Sequence, residues 1–320
     1  MTPTLIDIQA AAERLRPYLQ PTRLESAPPL RPKRPADAPV WLKLENTQPT
    51  HAFKVRGALN ALLARRERGE TAPNGVIAAS TGNHAQGVAW AANIVGVPAT
   101  IVMPSNAARR KVANVRRLGA RIIMVEGEYG DAEAEAHRLA DAEGRAWLSP
   151  YNDPDVIAGG GTCGLEMLAA APTLERIIVP IGGGGLISGI ATAAKALKPS
   201  IEVIGVNAAA SPEMYNSFYH LNLPESAETI ADSLPGAIEA GSLTREIVQA
   251  QVDRVLLASE HDLARAVRWL AYEAGWVVEG GGAAGAAVLI SGAVAADRET
   301  AVVLSGGNID ADVLHRALCE

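Results

Sequence analysis

Short apolar runs alternate along the chain with longer stretches whose apolar residues recur at helical spacing. Val76-Ile77-Ala78-Ala79, Ala99 to Met103 and Arg121 to Val125 are strand-length, and helical patterns lie between them. The rhythm resumes at Ile177, Ile201, Val255 and Ala301. Such alternation predicts βαβ units around mostly parallel sheets, an α/β protein. Met1 to Gln20 reads as an amphipathic helix with no uninterrupted apolar core, so a signal peptide is not expected. The remaining apolar stretches are too short or too interrupted to span a bilayer, and neither internal repeats nor low-complexity linkers are present.

Composition narrows the class. With 320 residues the chain has room for two domains, and a hydrophobic fraction of 48% supports a sizeable core. A net charge of -6 offers no basic patch for nucleic acid, and Arg65-Arg66 and Arg109-Arg110-Lys111 read as solvated helix faces. Cys163 and Cys319 form no C-x-x-C pair, which suits a reducing, cytoplasmic setting and gives no zinc site. Cys163, in what reads as a turn entering a helix (Gly159 to Gly164), is expected to be a buried small residue.

Candidate chemistry begins at Pro49-Thr50-His51-Ala52-Phe53-Lys54-Val55-Arg56-Gly57-Ala58. An amine becomes a covalent catalyst when its surroundings lower its pKa, and Lys54 follows an aromatic that suits a planar cofactor. The competing reading is an ordinary lysine on the solvent face of a helix. Ser80-Thr81-Gly82-Asn83-His84 follows a strand-like run and precedes a helix, where free backbone N–H groups suit a carboxylate; a plain helix cap is the alternative. Gly182-Gly183-Gly184-Gly185-Leu186, again between strand and helix, lets N–H groups converge on a phosphate. A dinucleotide fold is disfavoured because G-x-G-x-x-G fails in either register and Asn207 stands where a ribose-binding acid is expected. In Leu304-Ser305-Gly306-Gly307-Asn308 the serine is either a partner for a ring nitrogen or a cap of the last helix.

In this order, FKVRGA, STGNH, GGGGL and SGGN resemble the fold-type II enzymes dependent on pyridoxal 5'-phosphate, within them the threonine/serine dehydratase (ammonia-lyase) and serine racemase group. The resemblance runs from Lys43-Leu44-Glu45-Asn46 to Asn308 and includes Thr229-Ile230-Ala231-Asp232 and Glu279-Gly280-Gly281-Gly282-Ala283. It implies a tryptophan synthase β-like fold with two three-layer domains, mostly parallel sheets and the cofactor in the cleft. Residues 1–74 and 152–320 would form the large cofactor-binding domain and 75–151 a small, mobile substrate-binding domain. Lys54 would form the Schiff base and move the Cα proton, Phe53 would flank the pyridine ring, and Asn83 would contact the phenolic oxygen. Gly182, Gly183, Gly184, Gly185 and Leu186 would cradle the phosphate, Ser305 would face the pyridine nitrogen, and Ser80, Thr81, Asn83 and His84 would bind substrate.

The implied reaction is dehydration and deamination of L-threonine or L-serine to a 2-oxo acid and ammonia. Racemisation of serine or aspartate, or dehydration of 3-hydroxyaspartate or phenylserine, are the alternatives, and Thr81 is the candidate second acid/base. A cofactor-bearing, non-catalytic scaffold is opposed by retention of Lys54. Where many members read P-T-G-S-F-K, His51-Ala52 stands in place of a small pair, a change expected to alter the side-chain pocket. Asn207 replaces the first acid of the group's divalent-cation site, so no metal is expected and Glu213 reads as a helix-starting acid. With twelve residues after Asn308, no appended regulatory domain is expected. A homodimer is implied.

Overall fold

The computed structural model describes residues 1–29, 38–70, 74–105, 107, 109–226 and 228–319. Among them the strands run, in chain order, β1 (Leu24–Ser26), β2 (Val40–Lys43), β3 (Val76–Ala79), β4 (Ala99–Pro104), β5 (Arg121–Val125), β6 (Ala146–Trp147), β7 (Arg176–Pro180), β8 (Glu202–Ala208), β9 (Arg254–Ala258) and β10 (Thr300–Val303). A six-stranded sheet has the order β1-β2-β10-β7-β8-β9, and a four-stranded sheet the order β5-β4-β3-β6. Every pairing is parallel except β1 with β2. Helices cover the faces, so β3, β4, β7 and β10 are buried at every position, which is why they read as continuous apolar runs rather than as alternation. The predicted α/β class with mostly parallel sheets is what forms. Of the strands outside the sequence pattern, β1 and β6 are only 3 and 2 residues long, too short to show a period, and β2 (Val40-Trp41-Leu42-Lys43) ends on a charged residue that breaks the apolar run.

The helix Lys54–Glu67 is buried on all sides from Val55 to Ala64, packed between the helices Asn83–Val95 and Pro154–Ala170. One of its buried side chains is charged. Arg56 donates to both oxygens of Glu45 (2.7 and 2.8 Å) and of Glu166 (2.6 and 2.7 Å), and Lys43 adds a bond of 2.5 Å to Glu166. Two cations and two anions thus neutralise each other out of water, the condition under which buried charge is tolerated. They tie the first turn of the Lys54 helix to β2 and to the helix Pro154–Ala170.

Two expectations are corrected. Gly159 to Gly164 is not a turn but the middle of the helix Pro154–Ala170. Its glycines serve close approach: a Cβ on Gly161 would lie 2.8 Å from Gly189 O, and one on Gly189 only 2.2 Å from Ile157 O, so this helix meets Gly185–Leu197 backbone to backbone. Arg65 is not a solvated side chain; it donates to Trp147 O (2.9 Å) and Asp153 Oδ2 (2.6 Å). Among the described residues no helix is long and apolar enough to cross a membrane.

The three polar motifs follow β3, β7 and β10 directly, so all leave the carboxyl ends of their strands, where open parallel sheets hold ligands. The lysine segment is sewn to the last of them. Phe53 N donates to Ser305 O at 3.0 Å, and Ala52 forms an isolated bridge with Gly306.

Candidate active site

Lys54 is the first residue of its helix and faces inward, so the solvent-exposed alternative does not hold. Its Nζ donates to Pro150 O at 2.7 Å and lies 5.0 Å from the centre of the Phe53 ring. Burial disfavours the ammonium and brings its pKa down to about 8, with the Glu279 carboxylate partly opposing the shift. The backbone of the facing helix approaches closely, since a Cβ on Gly87 would lie 3.1 Å from Lys54 Cβ.

The loop after β3 turns on Ser80, whose Oγ accepts from Gly82 N at 3.1 Å. Gly82 is the N-cap of the helix Asn83–Val95, and no side chain caps it. The free N–H groups of this first turn therefore face the cavity as an anion site, which a cap would have occupied. Thr81 lines the same cavity, and no hydrogen bond holds its hydroxyl among the described residues. The imidazole of His84 is buried and its Nε2 is 2.9 Å from Leu148 O. Burial and the charge of Lys54 push its pKa down to about 3, so the ring is neutral and committed to that carbonyl. His84 is left with its backbone N–H for a substrate, a narrower part than expected.

Each glycine after β7 is sterically required. A Cβ on Gly182 would meet Leu234 O at 2.7 Å, on Gly183 the Tyr151 ring at 2.4 Å, on Gly184 Met214 Cε at 2.7 Å, and on Gly185 Tyr151 Cα at 3.0 Å. Gly184 also has φ +87°, left-handed space that suits glycine. Thr244 Oγ1 donates to Gly183 O at 2.7 Å and fixes the loop from behind. Ser305 is buried on the same cavity; the last described helix starts at Ala311, so the serine does not cap it.

Glu279, in sequence only the first residue of the Glu279-Gly280-Gly281-Gly282-Ala283 motif, belongs to the site. Asn83 Nδ2 donates to Glu279 Oε1 at 2.7 Å, Asn308 N donates to Oε2 at 3.1 Å, and Asn308 Nδ2 donates to Asn83 Oδ1 at 2.7 Å and to Thr50 O at 2.8 Å. Burial, with repulsion from Asp232, raises the Glu279 pKa to about 7. Its sequence signal is a lone acid inside the otherwise uncharged run Trp276 to Ser291. Lys111 does not lie on a solvated helix face. It reaches across the cavity to Asp232 Oδ2 at 2.5 Å; the side chains of its neighbours Arg109 and Arg110 lie outside the described residues.

His51 is exposed, adopts φ +56° and does not line the cavity, contrary to the expected effect on the pocket. Its place in the chain is that of a glycine because the backbone there is left-handed. Asn207 is engaged twice, donating to Ile181 O and accepting from Tyr215 N, both at 2.9 Å. Glu213 does start a helix, and it pairs with Arg245 at 2.6 Å. Among the described residues no group of three or more His, Cys, Asp or Glu could hold a metal ion.

One cavity of about 210 Å³ thus gathers Lys54, Phe53, the Ser80 to His84 loop, Gly182 to Leu186, Glu279 and Ser305. An amine with a lowered pKa, a cradle of glycines that no side chain can fill and a buried hydroxyl are the fittings for a phosphorylated aromatic aldehyde. The chain belongs to the pyridoxal-phosphate dependent enzymes, whose family model matches residues 15–306. It is 39% identical over 317 residues to an L-threonine ammonia-lyase of Thermotoga maritima, a match covering 98% of this chain and 78% of that protein. Threonine deaminase isoform 2 of Solanum lycopersicum superposes with a TM-score of 0.88 at 30% identity, covering 98% of this chain and 91% of the other. Maize serine racemase superposes with a TM-score of 0.89 at 32% identity, covering 100% and 98%.

Proposed function

We propose that this protein dehydrates and deaminates L-threonine, L-serine or both, giving a 2-oxo acid and ammonia. The observation that carries the reading is the Lys54 amine, buried at the meeting point of the glycine cradle and the uncapped helix N-terminus. Relatives named for threonine deamination support the choice of reaction.

The bound cofactor supplies an aldehyde for amine exchange and an electron sink for the Cα–H bond. Lys54 would hold the cofactor's aldehyde through its amine, and the same amine would be the base at the substrate's Cα–H. The Gly182 to Gly185 turn and Leu186 would hold the phosphate at the start of the helix Gly185–Leu197. Phe53 would flank the cofactor ring, Asn83 would meet its phenolic oxygen, and Ser305 would meet its pyridine nitrogen. The neutral Ser305 hydroxyl would not hold a proton on that nitrogen as a carboxylate would, an arrangement that suits loss of a β-hydroxyl. Ser80, Thr81 and the N–H groups of Asn83 and His84 take the substrate carboxylate.

In this reading residues 75–151 move as a unit and close the cleft over substrate, excluding water from the reacting carbon. A cytoplasmic homodimer completes the picture, testable by light scattering for its assembly.

The experiment is 2-oxo acid release by the purified protein, supplied with pyridoxal phosphate, from L-threonine, L-serine, threo-3-hydroxyaspartate and phenylserine. Rapid release from threonine or serine supports the reading; silence from all four overturns it. The uncommitted Thr81 hydroxyl favours a second activity, racemisation. Formation of the D-isomer, with exchange of the α-proton in deuterated water, would establish it.

A further inference from the structure

The cavity that holds Lys54 is crossed at its rim by one ion pair. Lys111, in the helix Arg109–Arg117 beside the smaller sheet, donates to Asp232 Oδ2 at 2.5 Å; Asp232 belongs to the loop that packs on the glycine turn, as Leu234 does. The Lys111 side chain is 22% exposed and that of Asp232 45%, so the pair sits at the rim, sheltered on the lysine side and screened by solvent on the aspartate side. Among the described residues lining the cavity, the cations are Lys54 and Lys111, while the carboxylates are Glu133, Asp232, Glu279 and Asp310. Asp310 and Glu279 act on Lys111 in addition to Asp232, and together they raise its pKa despite burial.

This balance bears on which amino acids can enter. The α-carboxylate of a substrate has the helix N-terminus at Asn83. A second, distal carboxylate needs a further donor or cation, and Lys54 is engaged at the reacting carbon. That leaves Lys111, whose charge is already matched by Asp232, with Asp310 and Glu279 behind. A side chain that carries a carboxylate therefore meets net negative potential and would have to displace Asp232 to find a partner, whereas a methyl or a hydrogen on Cβ meets no such cost.

We propose that the Lys111–Asp232 pair is the specificity element of this site: among the described residues lining the cavity, Asp232 occupies the cation that Lys54 leaves available, and so restricts the enzyme to β-hydroxy amino acids with uncharged side chains. The inference rests on the dehydratase reading and names the substrate class within it. It also makes Asp232 a residue whose charge works against a rival substrate, with nothing asked of it in the reaction itself.

The test compares wild type, Asp232→Asn and the double variant Lys111→Gln/Asp232→Asn as holoenzymes. Asparagine keeps the shape and an acceptor oxygen while removing the charge. The ratio of kcat/KM for threo-3-hydroxyaspartate to that for L-threonine is expected to rise about tenfold or more in Asp232→Asn, the scale of one unmatched charge at a partly buried site. The rise should vanish in the double variant, where Lys111 no longer offers a cation to the distal carboxylate. Asp232→Ser should move the ratio the same way and serves if the asparagine variant folds poorly. A second readout needs no turnover: thermal stabilisation of the holoenzyme by L-aspartate relative to L-serine, small in wild type and larger in Asp232→Asn. If no substrate yields a 2-oxo acid but this preference still reverses, the dehydratase reading fails and the specificity element stands. A wild-type enzyme that prefers 3-hydroxyaspartate, or a ratio and a stabilisation unmoved by Asp232→Asn, would overturn the proposal.

Discussion

Asn83 Nδ2 donates to Glu279 Oε1 at 2.7 Å, so the first residue of the helix after β3 is held by the residue that precedes the helix Gly280–Ile290. The bond joins the two sheets' loops at the place proposed for the phenolic oxygen of the cofactor. Glu279 also faces Lys54 and keeps its amine from falling further than about 8.

Glu279→Gln should therefore shift the acidic limb of the kcat profile, which reports the enzyme–substrate complex in which the Lys54 amine is free, to lower pH. With the carboxylate gone, burial alone acts on Lys54 and its amine loses its proton more readily. A pH profile on L-threonine checks this; a limb that moves to higher pH would contradict it.

The same variant should reveal a stability effect. The Glu279 pKa is raised from 4.5 to about 7 in the folded protein, so the folded state holds a proton that the unfolded state releases. Stability from this group is full below about 4.5, declines as pH rises through about 7, and stays reduced above. The melting temperature of Glu279→Gln relative to wild type, without cofactor, should hence increase from pH about 5 to about 8. A difference that shrinks over this range would be the wrong sign.

Gly183→Ala places a methyl 2.4 Å from the Tyr151 ring. We expect a destabilisation of about 1–3 kcal/mol, as for overpacking elsewhere, and cofactor affinity lowered about tenfold or more. Thermal unfolding and an absorbance titration with pyridoxal phosphate measure the two effects separately.

At His51 the backbone is left-handed, φ +56°, on the surface and away from the cavity. His51→Gly should match or exceed wild-type stability by up to about 1 kcal/mol, and His51→Val should fall below it by about 1–2 kcal/mol, because a β-branched residue fits that region worst. Turnover on threonine should be the same in both.

How much of this was legible in the sequence follows from how local each signal is. The Gly182 to Gly185 turn, the Lys54 segment and the buried strands β3, β4, β7 and β10 announce themselves within a few residues, through glycine runs or unbroken apolar stretches. The Asn83–Glu279 bond spans 196 residues and the Lys111–Asp232 pair 121, so neither has a local signature. Lys111 follows two arginines, and such a run reads as solvent-facing until the tertiary structure turns one side chain inward. Gly159 to Gly164 misled for the opposite reason. A glycine cluster signals a turn or close packing alike, and only the helix facing it decides which.

The most direct test of the account is 2-oxo acid release from L-threonine by wild type and Lys54→Ala, side by side with pyridoxal phosphate present. The account predicts ready release by wild type and none above background from Lys54→Ala, with the far-ultraviolet circular dichroism unchanged. Full activity in the alanine variant would contradict it, since no other amine in the cavity is free of a carboxylate partner among the described residues.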